Sequence, residues 1–410
     1  MRRITYWLAL ITIFIVPWED SITFAAVGSI VKIMGLILAA FWGATILIEG
    51  RFRKPNLFHF LVLLFFLWNF LSMLWTTNIP DTIQRITTYS QIFLLMLIFW
   101  EVFQKPEDLT AGMQAYVFGA FIPIISTINN YIQGNVAVQF EGRFSASGVN
   151  AVDMAIILMI GLPFALQLFF KGSQNKKGII LKFFNIAYIP LAIFSIILTG
   201  SRTSLIAIIP FGFYFFLTRQ IKFGRKVFIF GILVISLLFL YPFIPASVTA
   251  RLSTLGTSIE TGDLSGRVEY WRQAILIFST HPFIGLGSGT MVSAIGSAVH
   301  NTFLSVAAET GFIGFLLFFI ILSLTFFQAL NNPIGNTGLW VTILLTWGIG
   351  VSLLSWEFRK LTWLLLNFVI IDQSFTYGQL HIDQTKMEVS KRMKRFLKEN
   401  VSEAKMEADR

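Results

Sequence analysis

The stretch HNTFLSVAAETGFIG, His300 to Gly314, continued by FLLFFII from Phe315 to Ile321, decides the fold class. Roughly 20 apolar residues in a helix cross about 30 Å of hydrocarbon, and this run is material for such a span. His300 and Asn301 stand at its mouth. Glu309 lies deeper, about 13 Å in at roughly 1.5 Å of rise per residue. A carboxyl group at that depth is expensive unless protonated or paired, so Glu309 is expected to hold a neighbouring helix or orient a polar network. Gly311 and Gly314 would let another helix approach closely.

Working outward, the composition agrees. Of 410 residues, 55% are hydrophobic, 16% aromatic and only 13% charged, which excludes an ordinary soluble domain. With no cysteine, disulfides and thiolate metal sites are excluded as well. The net charge of +10 does not point to nucleic acid, because the basic residues sit in short loops between apolar runs, where they act as topology signals.

The predicted class is an all-α polytopic membrane protein of about twelve transmembrane helices, each near the length a bilayer demands. The expected spans are Ile4–Val16, Thr23–Leu47, Leu57–Trp75, Ile83–Phe103, Leu109–Ile128 and Ala151–Phe170. One more ends at Thr199-Gly200, one begins at Ser201, and Val227–Tyr241 follows. The last three begin at His300, Leu339 and Leu361. Loops with Arg51, Arg53 and Lys54, with Lys171, Lys176, Lys177 and Lys182, and with Arg219, Lys222, Arg225 and Lys226 mark the inside, with both termini cytoplasmic. Residues 1–371 form one transmembrane domain, with a long outer loop over about 245–299, and 372–410 form a charged cytoplasmic tail. The basic cluster Lys391, Arg392, Lys394, Arg395 and Lys398 in that tail is read as resting on anionic lipid.

The outer face carries arginine almost exclusively: Arg85, Arg143, Arg202, Arg251, Arg267, Arg272 and Arg359. Arginine matches phosphate oxygens bidentately and keeps its charge, although at a helix end it also anchors to lipid headgroups. Arg202 stands at a helix start, GSRTS, where backbone N–H groups and hydroxyls favour an anion. Arg267 opens GRVEYWR, in which Val268, Trp271, Ala274 and Phe278 recur at helical spacing and predict an amphipathic helix lying on the membrane. His300 in isolation reads as a cap. At the outer end of a span beside arginines it also reads as a base for a sugar hydroxyl. Gly285, Gly287 and Gly289 are expected to form a flexible turn rather than a nucleotide loop, and Glu19-Asp20 is an acid pair without further metal ligands nearby.

Four segments in this order, TGSRTSL around Arg202, SGRVEYW around Arg267, HPFIGLGSG from His281 and HNTFLSVAAETGFIG from His300, resemble the O-antigen ligase and polymerase superfamily. The resemblance covers the second half strongly and the first half by topology alone. Arg143 to Ala155, with Asn150, looks like the family's outer-loop segment, but Val149 stands where a proline usually precedes that asparagine. The resemblance implies a GT-C-like, inverting, metal-independent glycosyltransferase without cofactor in the bacterial cytoplasmic membrane. Its donor would be a glycan on undecaprenyl pyrophosphate, and its acceptor a glycan or lipid-linked sugar hydroxyl. His300 would be catalytic and Arg202 and Arg267 would bind the pyrophosphate, with Asn301, Arg143, Arg272 and Glu309 in support. Competing readings are a transporter or flippase for lipid-linked glycans, and an O-linked protein oligosaccharyltransferase.

Overall fold

The computed structural model describes residues 1–24, 28–136, 142–171, 176–218, 222–254, 266–332 and 336–375. Apart from a two-residue strand pair, Thr23–Phe24 with Gly28–Ser29, the described chain is helical. The helices are α1 (Arg2–Ile15), α2 (Ile30–Glu49), α3 (Leu57–Leu71), α4 (Ile79–Val102), α5 (Pro106–Ile132), α6 (Ala151–Lys171) and α7 (Lys176–Leu198). There follow α8 (Arg202–Ala207), α9 (Ile209–Leu217), α10 (Phe223–Leu240), α11 (Ala246–Ser253), α12 (Arg267–Thr280), α13 (Met291–Ile295), α14 (Thr302–Leu330) and α15 (Thr337–Val351). Residues 360–375 form α16.

Seven spans are long and apolar enough to cross a membrane, formed by α2, α3 with its continuation to Leu74, α5, α6, α7, α10 and α14. The other expected spans are helical but shorter or more polar. The second begins at Ile30 rather than Thr23, because the strand pair takes up the preceding residues. The eighth is broken at Ile208, ahead of Pro210, into α8 and α9. Proline lacks the N–H that a continuous helix would need there.

Burial is arranged for lipid. Leu47, Leu74 and Phe223 are more than three-quarters exposed, whereas α6 is almost wholly enclosed by α5, α7, α8 and α15. Apolar side chains on the outside are what a hydrocarbon solvent permits.

The helix that opened the sequence argument is broken at Gly311, whose φ of 66° is left-handed. The loop from His281 to Thr290 enters the break. Phe312 N–H donates to Pro282 O (2.7 Å) and Ile313 N–H to Phe283 O (3.3 Å), while Leu286 and Gly287 N–H donate to Ala308 O and Glu309 O. Trp68 Nε1 caps Thr310 O at 2.9 Å. Groups freed by the break thus find partners inside the protein, as irregular backbone at membrane depth requires. The glycines of this loop serve close approach and not flexibility. A Cβ on Gly285 would stand 2.4 Å from the Glu309 backbone, and one on Gly311 2.3 Å from that of Phe283. Gly314 lets Trp68 of α3 approach, as its spacing suggested.

Glu309 fastens the loop. Its carboxylate accepts from Gly289 N (2.8 Å) and lies 3.6 Å from Arg85, which also pairs with Glu357 at 2.8 Å. Ser305 donates to the same Glu357 oxygen. Exchanging Arg85 for methionine would leave two buried carboxylates without their counter-charge. That change is expected to lower stability by about 3–5 kcal/mol, read as a fall in the unfolding temperature of the solubilised protein. An unchanged transition would contradict the pairing.

Candidate active site

Arg202, Arg251 and Arg267 all act electrostatically on Arg143, beside the turn from α7 to α8. The turn from α7 to α8 reverses at Gly200, with φ at 56°. A side chain there would press on Arg251 and Arg143, so glycine lets both flank the turn. Phe144 N–H donates to Leu198 O, laying the loop from Gly142 across the end of α7, and buried Arg143 donates through Nε to Thr199 O at 2.7 Å. Arg251 Nε donates to Gly200 O, and Arg202 donates to Arg251 O and to Thr254 Oγ1. These bonds hold the stems and leave a concentration of positive charge.

The mutual field is evident in the ionisation of the guanidiniums. Burial and the charges of Arg251, Arg267 and Arg202 push Arg143 down to about 10. Arg267 is lowered by burial and then by Arg251, with Asp153 acting in the opposite sense. Arg251 is lowered by burial and by Arg202. A concentration of guanidiniums of this kind raises the local positive potential and attracts anions.

Arg267 links this cluster to His300. It begins α12 behind Gly266, whose left-handed φ of 75° suits glycine. The helix packs on α14 through Trp271, Ala274 and Ile277, which meet Met291, Val299, Leu304 and Ala308. Of the expected apolar face, Trp271 and Ala274 thus pack toward α14 together with Ile277, while Val268 is 48% exposed. Arg272 points into the open, is exposed, and makes no hydrogen bond with a described residue.

His300 has φ of 54°, the only left-handed residue other than glycine among those described. Such a backbone costs of order 1–3 kcal/mol and persists only when its surroundings impose it. Val299 buried on one side and the Asn301 cap on the other do so here. Asn301 Oδ1 accepts from Phe303 and Leu304 N–H at 3.0 and 3.1 Å, so its amide oxygen is committed to the helix start. The imidazole stands 6.3 Å from the Tyr270 ring and makes no hydrogen bond with a described residue. Burial, then the charge of Arg267, lowers its pKa below the ordinary histidine value.

The remaining sequence-derived candidates find other work. Glu309 positions the loop below His300, as described. Ser204 Oγ donates to Ser201 O and Thr203 is buried, so these residues of α8 face inward and not toward an anion. Glu19 pairs with Lys360, and Asp20 with Arg359, which also reaches Asp153 at 3.2 Å. The basic tail cluster lies outside the described residues.

Residues 187–319 match the O-Antigen ligase family model. The matched segment contains Arg202, Arg251, Arg267, His300 and Glu309, and it ends partway along α14. An O-antigen ligase domain implies a glycosyltransferase-type enzyme, here one embedded among multiple membrane-spanning helices. Lipid-linked glycans are the general substrates that such a ligase implies. A comparison of the whole chain with curated proteins found no match.

Proposed function

We propose that this chain transfers a glycan from undecaprenyl pyrophosphate to a sugar hydroxyl, and that the arginine end faces the exterior of the bacterial cytoplasmic membrane. On this reading about twelve helices cross the bilayer with both termini inside, in a GT-C-like arrangement. Residues 1–371 form the transmembrane domain, and 372–410 the tail. The observation that carries the reading is the gathering of Arg143, Arg202, Arg251 and Arg267 within electrostatic reach of one another, with Arg267 also acting on His300.

In the step we envisage, the acceptor oxygen bonds to the anomeric carbon from the face opposite the leaving group, which inverts that centre. The bond from that carbon to the pyrophosphate oxygen breaks, and its electron pair leaves on the diphosphate. Arg202 and Arg267 stabilise the charge developing there. The hydroxyl proton passes to the neutral imidazole of His300. Diphosphate departs well without a general acid, and no metal or cofactor is required by the step.

Because His300 must be neutral to accept the proton, transfer is expected to fall as pH drops through its pKa, which lies below about 6.5. Arg267→Gln removes a positive neighbour and raises that pKa, so the acid limb of the variant's residual activity should move to higher pH. A pH profile of membrane-reconstituted enzyme tests this. An acid limb that stays in place would disconnect the two residues.

A further inference from the structure

A compartment with Asp153 on its wall lies within electrostatic reach of Arg267. It is a cavity of about 750 Å3 between the end of α5, the loop leading into α6, and Arg359. Small-molecule sites typically span about 300–1,000 Å3, so it has room for a short saccharide. Its walls differ from the cationic site. Asn130, Ser147 and Asn150 supply amides and hydroxyls, and the two carboxylates present, Asp20 and Asp153, are both held by Arg359. Amides and hydroxyls donate and accept at once, which suits a hydroxyl group that does the same. Asn130 Nδ2 donates to Ser145 O at 2.9 Å and fixes this wall, and Asn150 Oδ1 accepts from Val152 N–H at 2.8 Å. Asn150 lines the cavity, and its Nδ2 makes no hydrogen bond with a described residue.

Two links run from the cavity toward the reacting groups. Its wall at Ser145 is two residues from Arg143. On its other side, Asp153 accepts from Trp356 Nε1 at 2.8 Å, and the backbone N–H of Trp356 donates to Thr302 Oγ1 at 2.8 Å, two residues beyond His300. We propose that this cavity is the acceptor compartment, taking the uncharged, hydroxyl-bearing sugar end of the second glycan beside the cationic cluster. The assignment rests on the glycosyl-transfer reading given above and extends it to the second substrate. A polar compartment distinct from the cationic cluster would keep the acceptor apart from the donor until its hydroxyl meets the anomeric carbon near His300.

The test uses the full chain in lipid nanodiscs, with methyl glucoside, methyl galactoside and methyl N-acetylglucosaminide as probes in saturation-transfer NMR. Signal from at least one glycoside is expected with the native protein, and it should persist when undecaprenyl pyrophosphate saturates the cationic site. Ser147→Trp should abolish that signal and Asn150→Ala should reduce it at least threefold. Both variants should bind undecaprenyl pyrophosphate within twofold of the native affinity, which also verifies that they fold. Absence of signal from every glycoside, its persistence in Ser147→Trp, or its displacement by undecaprenyl pyrophosphate would overturn the acceptor assignment. Failure of undecaprenyl pyrophosphate to bind the native protein would instead count against the donor reading, leaving the glycoside result to be judged separately.

Discussion

Replacing His300 by alanine is expected to lower glycan transfer by about 10²–10⁴-fold, the usual span for loss of a general base. Undecaprenyl pyrophosphate should still bind, because the guanidiniums that attract it come from other elements. The imidazole makes no hydrogen bond with a described residue, and its ring lies 6.3 Å from that of Tyr270 in α12. Truncation therefore breaks no hydrogen bond to a described residue. Relief of the left-handed backbone at this position should not occur, since alanine is no freer there than histidine. Normal membrane insertion with little product is the expected combination. Native yields of glycan from this variant would remove His300 from the reaction.

Arginine loss should act differently. Arg202→Ala and Arg267→Ala are each expected to lower transfer by about 10²–10³-fold, the range seen when one preorganised donor to a developing anion is removed. Unlike the histidine variant, both should also weaken binding of the lipid pyrophosphate, because the ground state already carries the charge they meet. Lysine at either position should recover only part of the activity, since an ammonium group keeps the charge but loses the planar fork. Full recovery by lysine would mean that the residues supply field alone. A native rate in the alanine variants would exclude them from the site.

Much of this arrangement was legible in the sequence, and the limits have physical causes. Apolar runs long enough to span a bilayer locate α3, α5, α6, α7, α10 and α14 within a few residues, because length and hydropathy are local properties. Arg202 and Arg267 stand out through their glycine-bounded helix starts. Arg251 carries no such signal in its segment, and it joins the cluster only because α11 folds back over Gly200. The Arg85 bridge to Glu309 and Glu357 was likewise hidden, since its partners lie far apart in the chain. The glycines from Gly285 to Gly289 suggested flexibility, yet their neighbours, visible only in three dimensions, make them a tightly fitted wedge. Periodicity finds the apolar stripe of α12, and the packing partner decides which part of it is covered.

A cryo-electron microscopy map of the protein in nanodiscs with bound undecaprenyl pyrophosphate tests the central claim most directly. The account predicts diphosphate density between the Arg202 and Arg267 guanidiniums, with the His300 imidazole facing the position of the first sugar carbon. Diphosphate density at the opposite end of the bundle, near Lys171 and Lys226, would contradict it.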